Sequence, residues 1–150
     1  MEILQVTTDE LLEWVVDILN QHSPVIIRIR GNSMFPFLRD NRDLVTLRAF
    51  GPEDLRPGTI ILFKYETKYL LHRILRKKSA NYYLRGDNNW SFLFETCTED
   101  DVVGVVVSVE RNGRQIACDS WKWRFCSFLW MKSHFLRVVL YRGYCFLKKN

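Results

Sequence analysis

Two residues far apart in the chain have the types needed for covalent chemistry together. Ser33 lies in Gly31-Asn32-Ser33-Met34-Phe35-Pro36, directly after a β-branched run, and His72 lies in the apolar stretch Leu71-His72-Arg73-Ile74. A serine hydroxyl is a poor nucleophile until a base within hydrogen-bond reach takes its proton during attack. An imidazole, ordinarily titrating near about 6.5, suits that task near neutral pH. A further polar group is then needed to orient the ring and stabilise its charged form. Gly31 permits an unusual backbone and Pro36 stiffens the exit, so the corner exposes Ser33. The loop Gly31, Asn32, Met34 and Pro36 would leave backbone N–H groups free to face an oxyanion. A third segment, Arg85-Gly86-Asp87-Asn88-Asn89, follows. Taken singly, each piece is an ordinary turn or a structural histidine; their order and the strands between them are what suggest a site.

The elements that must position these residues are mainly strands. Val25–Arg30 is β-branched and partly alternating, and it runs straight into Gly31-Asn32-Ser33. Further runs at Asp43–Leu47, Thr59–Lys64, Tyr69–Leu75, Tyr82–Arg85 and Val102–Glu110 are separated by turn-formers such as Arg56-Pro57-Gly58. Asn112-Gly113 predicts a hairpin turn into Gln115–Cys118. Seven or so strands without intervening helices predict a mainly β fold, a coiled antiparallel sheet or barrel. Before them, Thr7 and Glu10 have capping-box spacing, and apolar residues recur at helical intervals, which predicts a helix over about Thr8 to Asn20.

A chain of 150 residues is of single-domain size. Its net charge of +5 is unevenly distributed, since all 17 Asp and Glu fall before residue 120 while seven Lys and Arg follow it. Residues 1–119 therefore form the β unit, and 120–150 a basic, aromatic, partly helical extension. Cys97, Cys118, Cys126 and Cys145 form no C-x-x-C pair, and three histidines give a zinc site little support, so the reading calls for no metal or cofactor. Four scattered thiols fit a reducing compartment. No secretory leader and no uninterrupted apolar span is legible, and Phe125 to Met131 is soon broken by Lys132. These features predict a cytoplasmic protein, with peripheral membrane contact through the tail as one option.

Gly-x-Ser-Met-x-Pro, a following Asp-x-Val, an apolar strand ending in His72-Arg73-Ile74, and Gly86-Asp87-Asn88-Asn89, in that order, resemble the boxes of type I signal peptidases. The likeness covers roughly Ile29 to Val106. It implies the coiled β fold shared with LexA-like repressors, and peptide-bond hydrolysis through an acyl-enzyme on Ser33. Within that superfamily the usual bacterial enzymes use a lysine base, whereas His72 resembles the histidine-using, endoplasmic-reticulum and archaeal-like branch. A lysine base must be desolvated to lower its pKa, while a histidine needs little tuning.

The chain departs from the family in three places. The expected Gly-Asp is represented by Arg42-Asp43, displaced by one residue; the position of the branch's functional aspartate, six beyond Asp87, is Leu93; and the family's membrane anchor is not legible. The resemblance makes Asp87 the first choice for the third catalytic residue and Glu95 the second, with a Ser–His dyad as a further option. The implied substrate is a peptide or protein precursor from which a leader or signal-like segment is cut. The alternatives are a LexA or phage-repressor-like regulatory, self-cleaving domain and a catalytically silent interaction module. No helix-turn-helix precedes the fold and the tail lacks a nucleic-acid-binding motif, which argues against nucleic acid as partner. The tail could instead lie on an anionic membrane, grip a partner protein, or pack its aromatics on the β unit.

Overall fold

The computed structural model describes residues 3–4 and 9–149 of the chain. The capping-box residue Thr7 and the expected helix start at Thr8 lie outside them. The order is β1 (Ile3–Leu4), α1 (Asp9–Asn20), β2 (Val25–Arg28), β3 (Asp43–Arg48), β4 (Ile60–Tyr65), β5 (Lys68–Lys78), β6 (Asn81–Arg85), β7 (Glu95–Thr98), β8 (Val102–Arg111), β9 (Arg114–Ala117), α2 (Trp121–Lys132) and α3 (His134–Lys148). Single 3-10 turns precede β4 and β8. The described strands form one open sheet in the order β1-β2-β3-β8-β4-β5-β6-β7, with β9 also paired to β8. Every neighbouring pair is antiparallel except β1 with β2. Of the two architectures the sequence allowed, closure into a barrel is not observed; the sheet is open and almost wholly antiparallel.

The ladders of β8 slip opposite Thr46/Leu47 on one edge and Leu62/Phe63 on the other, and the β5–β6 ladder slips near Ile74. Each extra residue bends its strand and increases the twist. As a result β8 serves two cores. Val106 and Val109 join Val15 and Leu19 of α1 with Val25, Ile27, Val45 and Leu62, whereas Val102 and Val105 join Ile61, Phe63, Ile74 and Leu84. Gly104 marks the seat of α1, because a Cβ there would stand 2.9 Å from both Leu19 Cδ1 and the Arg48 carbonyl oxygen.

Two features of the fold bear directly on the site. Met34 and Leu38, both buried in the first core, pin the loop that carries Ser33. Beyond β9, α2 and α3 follow one another with only Ser133, itself in helical conformation, between them, and they lie against the same loop and against the segment after β6. Among the described residues, no helix is long and apolar enough to cross a membrane.

Candidate functional site

Ser33 is exposed at a tight turn between β2 and β3. Gly31 holds φ +79°, in the left-handed region that only glycine enters at little steric cost. The Asn32 carbonyl accepts from Phe35 N at 3.1 Å, and the Met34 carbonyl accepts from Leu38 N at 2.9 Å. At the rim, Asp40 Oδ1 accepts from Gly31 N at 3.1 Å. Pro36 is half-buried at the exit of the turn. These bonds and the two buried anchors fix the corner while its serine faces outward.

His72 sits in the middle of β5, its side chain buried to 8% exposure beside the Phe63 ring. Its Nδ1 lies 3.1 Å from Glu95 Oε2. A carboxylate can only accept, so the shared proton belongs on Nδ1 and Nε2 keeps its lone pair. Nε2 lies near the Ser33 main chain beside Gly86, with no hydrogen bond between His72 and the Ser33 hydroxyl among the described residues. A Cβ placed on Gly86 would stand 3.1 Å from His72 Nε2 and 2.6 Å from the Ser33 carbonyl oxygen, so both atoms crowd one point that only glycine leaves open. The Ser33 carbonyl also accepts from Asn88 N at 2.9 Å. The Gly86–Asn88 segment thus clamps the serine corner beside the imidazole. An imidazole held this way can take a proton from a nearby hydroxyl and store the resulting charge against Glu95.

Asp87 is placed elsewhere. Both of its carboxylate oxygens are engaged by Arg73, at 2.8 Å from Nε and 2.7 Å from Nη2. The reason is the two-residue period of a strand: His72 and Arg73 are adjacent on β5 and so leave opposite faces of the sheet. His72 goes to the face of Phe63 and Glu95. Arg73, wholly buried, goes to the face covered by α2, where it stacks on Phe37 at 4.5 Å and donates from Nη1 to Gly58 O and Ser127 Oγ, both at 2.8 Å. Of the two carboxylates expected near the base, Glu95 meets it and Asp87 neutralises a buried guanidinium. Glu95 arrives on β7, a short strand that sequence patterning passed over; its one signal was the alternating Glu-Thr-Cys-Thr with β-branched threonines.

The tail's part in the site also escaped sequence reasoning. Trp130 Nε1 of α2 donates to the Asp87 carbonyl at 3.1 Å, and His134 Nε2 of α3 donates to the Ser91 carbonyl at 2.7 Å. Trp123 and Trp130 pack edge-on against Phe37, just beyond the serine turn. Burial pulls the His134 pKa down, Ser91 opposes this, and Arg85 and Arg137 add to the depression. Burial likewise lowers Arg85, helped by Arg137 and opposed by Asp87 and Glu95. Burial pushes the Cys97 and Cys118 thiols up to about 12, so neither is a nucleophile near neutral pH. Among the described residues, no group of three or more His, Cys, Asp or Glu is arranged to hold a metal ion.

Fold and site together define a mainly β protein with an open antiparallel sheet, in which a buried histidine paired with a half-buried glutamate abuts a glycine-cornered serine turn. No protein-family model matches the chain, and no curated protein is found to be similar to it.

Proposed function

We propose that the protein is a serine endopeptidase of the signal-peptidase and LexA-like type, which removes a leader or signal-like segment from a peptide or protein precursor. Ser33 attacks the scissile carbonyl, His72 takes its proton and returns it to the leaving amine, and Glu95 keeps the imidazole in the required tautomer. Backbone N–H groups of the Asn32–Met34 segment would receive the oxyanion, the Gly31 N–H being taken by Asp40. Water then hydrolyses the acyl-enzyme, with His72 again as base.

The observation that carries this reading is the convergence at Gly86, where His72 Nε2 and the Ser33 main chain meet while Nδ1 is held by Glu95. The ordered boxes of the sequence add to it. The test is to incubate the protein with a peptide library rich in leader-like sequences and find the cleavage sites by mass spectrometry. Ser33→Ala and His72→Ala should each abolish cleavage while melting as the parent does. Undiminished cleavage by either variant would remove that residue from the chemistry.

A further inference from the structure

Most of the apolar residues of α2 and α3 are exposed: only Val138 is buried, and Trp123, Trp130, Met131 and Cys145 are half-buried. On α2, Trp123, Ser127 and Trp130 form the stripe that faces the β unit. A second stripe at the same spacing, Trp121, Phe125, Phe128 and Leu129, faces outward, with Trp121 at 72% exposure. On α3 only the first turns are seated, through His134 and Val138. Past them Leu140, Tyr144, Phe146 and Leu147 are exposed around several sides of the helix, Leu147 at 75%. Ordinary packing on the sheet accounts for the inner stripe and leaves this second surface unexplained; clustered exposed apolar side chains of this kind mark an interaction site.

The charges on this surface are of one sign. Between Ser120 and Asn150 there are seven Lys and Arg and no Asp or Glu, and all the bases except Arg137 are exposed. None of them enters an ion pair among the described residues. Lys122 and Lys132 lie over the rings of Trp121 and Phe128, at 5.8 and 5.6 Å, so the bases are interleaved with the apolar side chains. The surface continues into the segment beside the candidate site, where Phe92 packs on Phe135 and Trp90 on Tyr141. A bilayer interface matches this pattern: acyl chains accept apolar side chains of any shape and direction, and acidic headgroups accept the unpaired bases. A second copy of the chain would bring like charge against like.

We propose that the exposed apolar and basic side chains of α2 and α3 dock on a bilayer surface containing anionic phospholipid, and so hold the Ser33–His72 corner close to that surface. Docking is independent of the peptidase reading. The test is co-sedimentation of the intact chain with vesicles of phosphatidylcholine, alone or mixed with phosphatidylglycerol. Partition onto the mixed vesicles should be at least about tenfold stronger and should weaken as salt is raised. Phe146→Ser with Leu147→Ser, and separately Lys148→Glu with Lys149→Glu, alter only exposed side chains and should each cut binding by about tenfold or more without changing the melting temperature. Ser33→Ala should bind as the parent does, which separates failure of docking from failure of catalysis. Docking is overturned if the chain stays in the supernatant, if it partitions equally onto both vesicles, or if the charge reversal leaves binding intact. A dimer that buries this face in sedimentation, with no vesicle binding, would also overturn it.

Discussion

At the scale of the residue, the site rests on two carboxylates with different work. Glu95 is half-buried and touches the imidazole, whereas Asp87 is buried and neutralises Arg73. Glu95→Gln should leave the melting temperature nearly unchanged yet lower kcat by on the order of a thousandfold, because an amide no longer enforces the Nδ1–H tautomer. Asp87→Asn should do the reverse in part. It leaves a guanidinium without its counter-charge in a dry interior, a loss of about 3–5 kcal/mol readable by denaturant titration. Any fall in activity there should follow the loss of fold. If Asp87→Asn kept full stability and lost activity while Glu95→Gln kept activity, the two assignments would have to be exchanged.

At the scale of the element, α2 and α3 are part of the scaffold of the site. Arg73 ties β5 to α2 through Ser127, Trp130 holds the Asp87 carbonyl, and Asp87 sits between the two residues that clamp Ser33. The seating of α3 should depend on pH through His134. Burial and neighbouring guanidiniums put its folded pKa below the unfolded value of about 6.5. The neutral ring therefore contributes stability that is complete above the unfolded value and is lost as pH falls from there toward the depressed folded one. Amide exchange in α3, corrected for intrinsic rates, should show protection falling between about pH 7 and pH 5. His134→Gln, which retains a donor for Ser91, should flatten that dependence; an unchanged slope would place the titrating group elsewhere.

At the scale of the whole molecule, Asp43 joins the serine loop to the sheet. Burial alone would raise its pKa, but hydrogen bonds from Arg42 and Arg111, with another from Arg39 N, outweigh it and hold the carboxyl below its usual range. Arg111 also donates to the Phe37 carbonyl, at 2.7 Å, so β8, β3 and the loop meet at this carboxylate. A depressed folded pKa means stability that is present above the unfolded value, about 3.9, and is lost as pH falls through the folded one. The unfolding free energy of the parent should therefore drop with acid more steeply than that of Asp43→Asn. Parallel curves would show that Asp43 does not govern acid stability.

Much of this was legible from local pattern alone. Alternating β-branched runs placed seven strands close to their observed bounds, the helical period placed α1, and the glycine-cornered Gly31-Asn32-Ser33 and the isolated His72 picked out the two sides of the site. Local pattern reports what a segment prefers, and these segments fold as they prefer. It does not report which face of β5 receives which carboxylate, because that depends on where distant loops return. Asp87 follows directly after a strand paired with β5 and still turns away from His72 to Arg73, while Glu95 reaches the ring only because β7 pairs with β6. The inward and outward stripes of α2 were indistinguishable by composition, since both are aromatic and apolar. Packing against Phe37 and Arg73 decided which one is buried and left the other facing solvent. Chain-local chemistry determined the glycine-cornered serine turn and the strand carrying the imidazole; long-range pairing decided the partner of that imidazole and the orientation of α2 and α3 beside it.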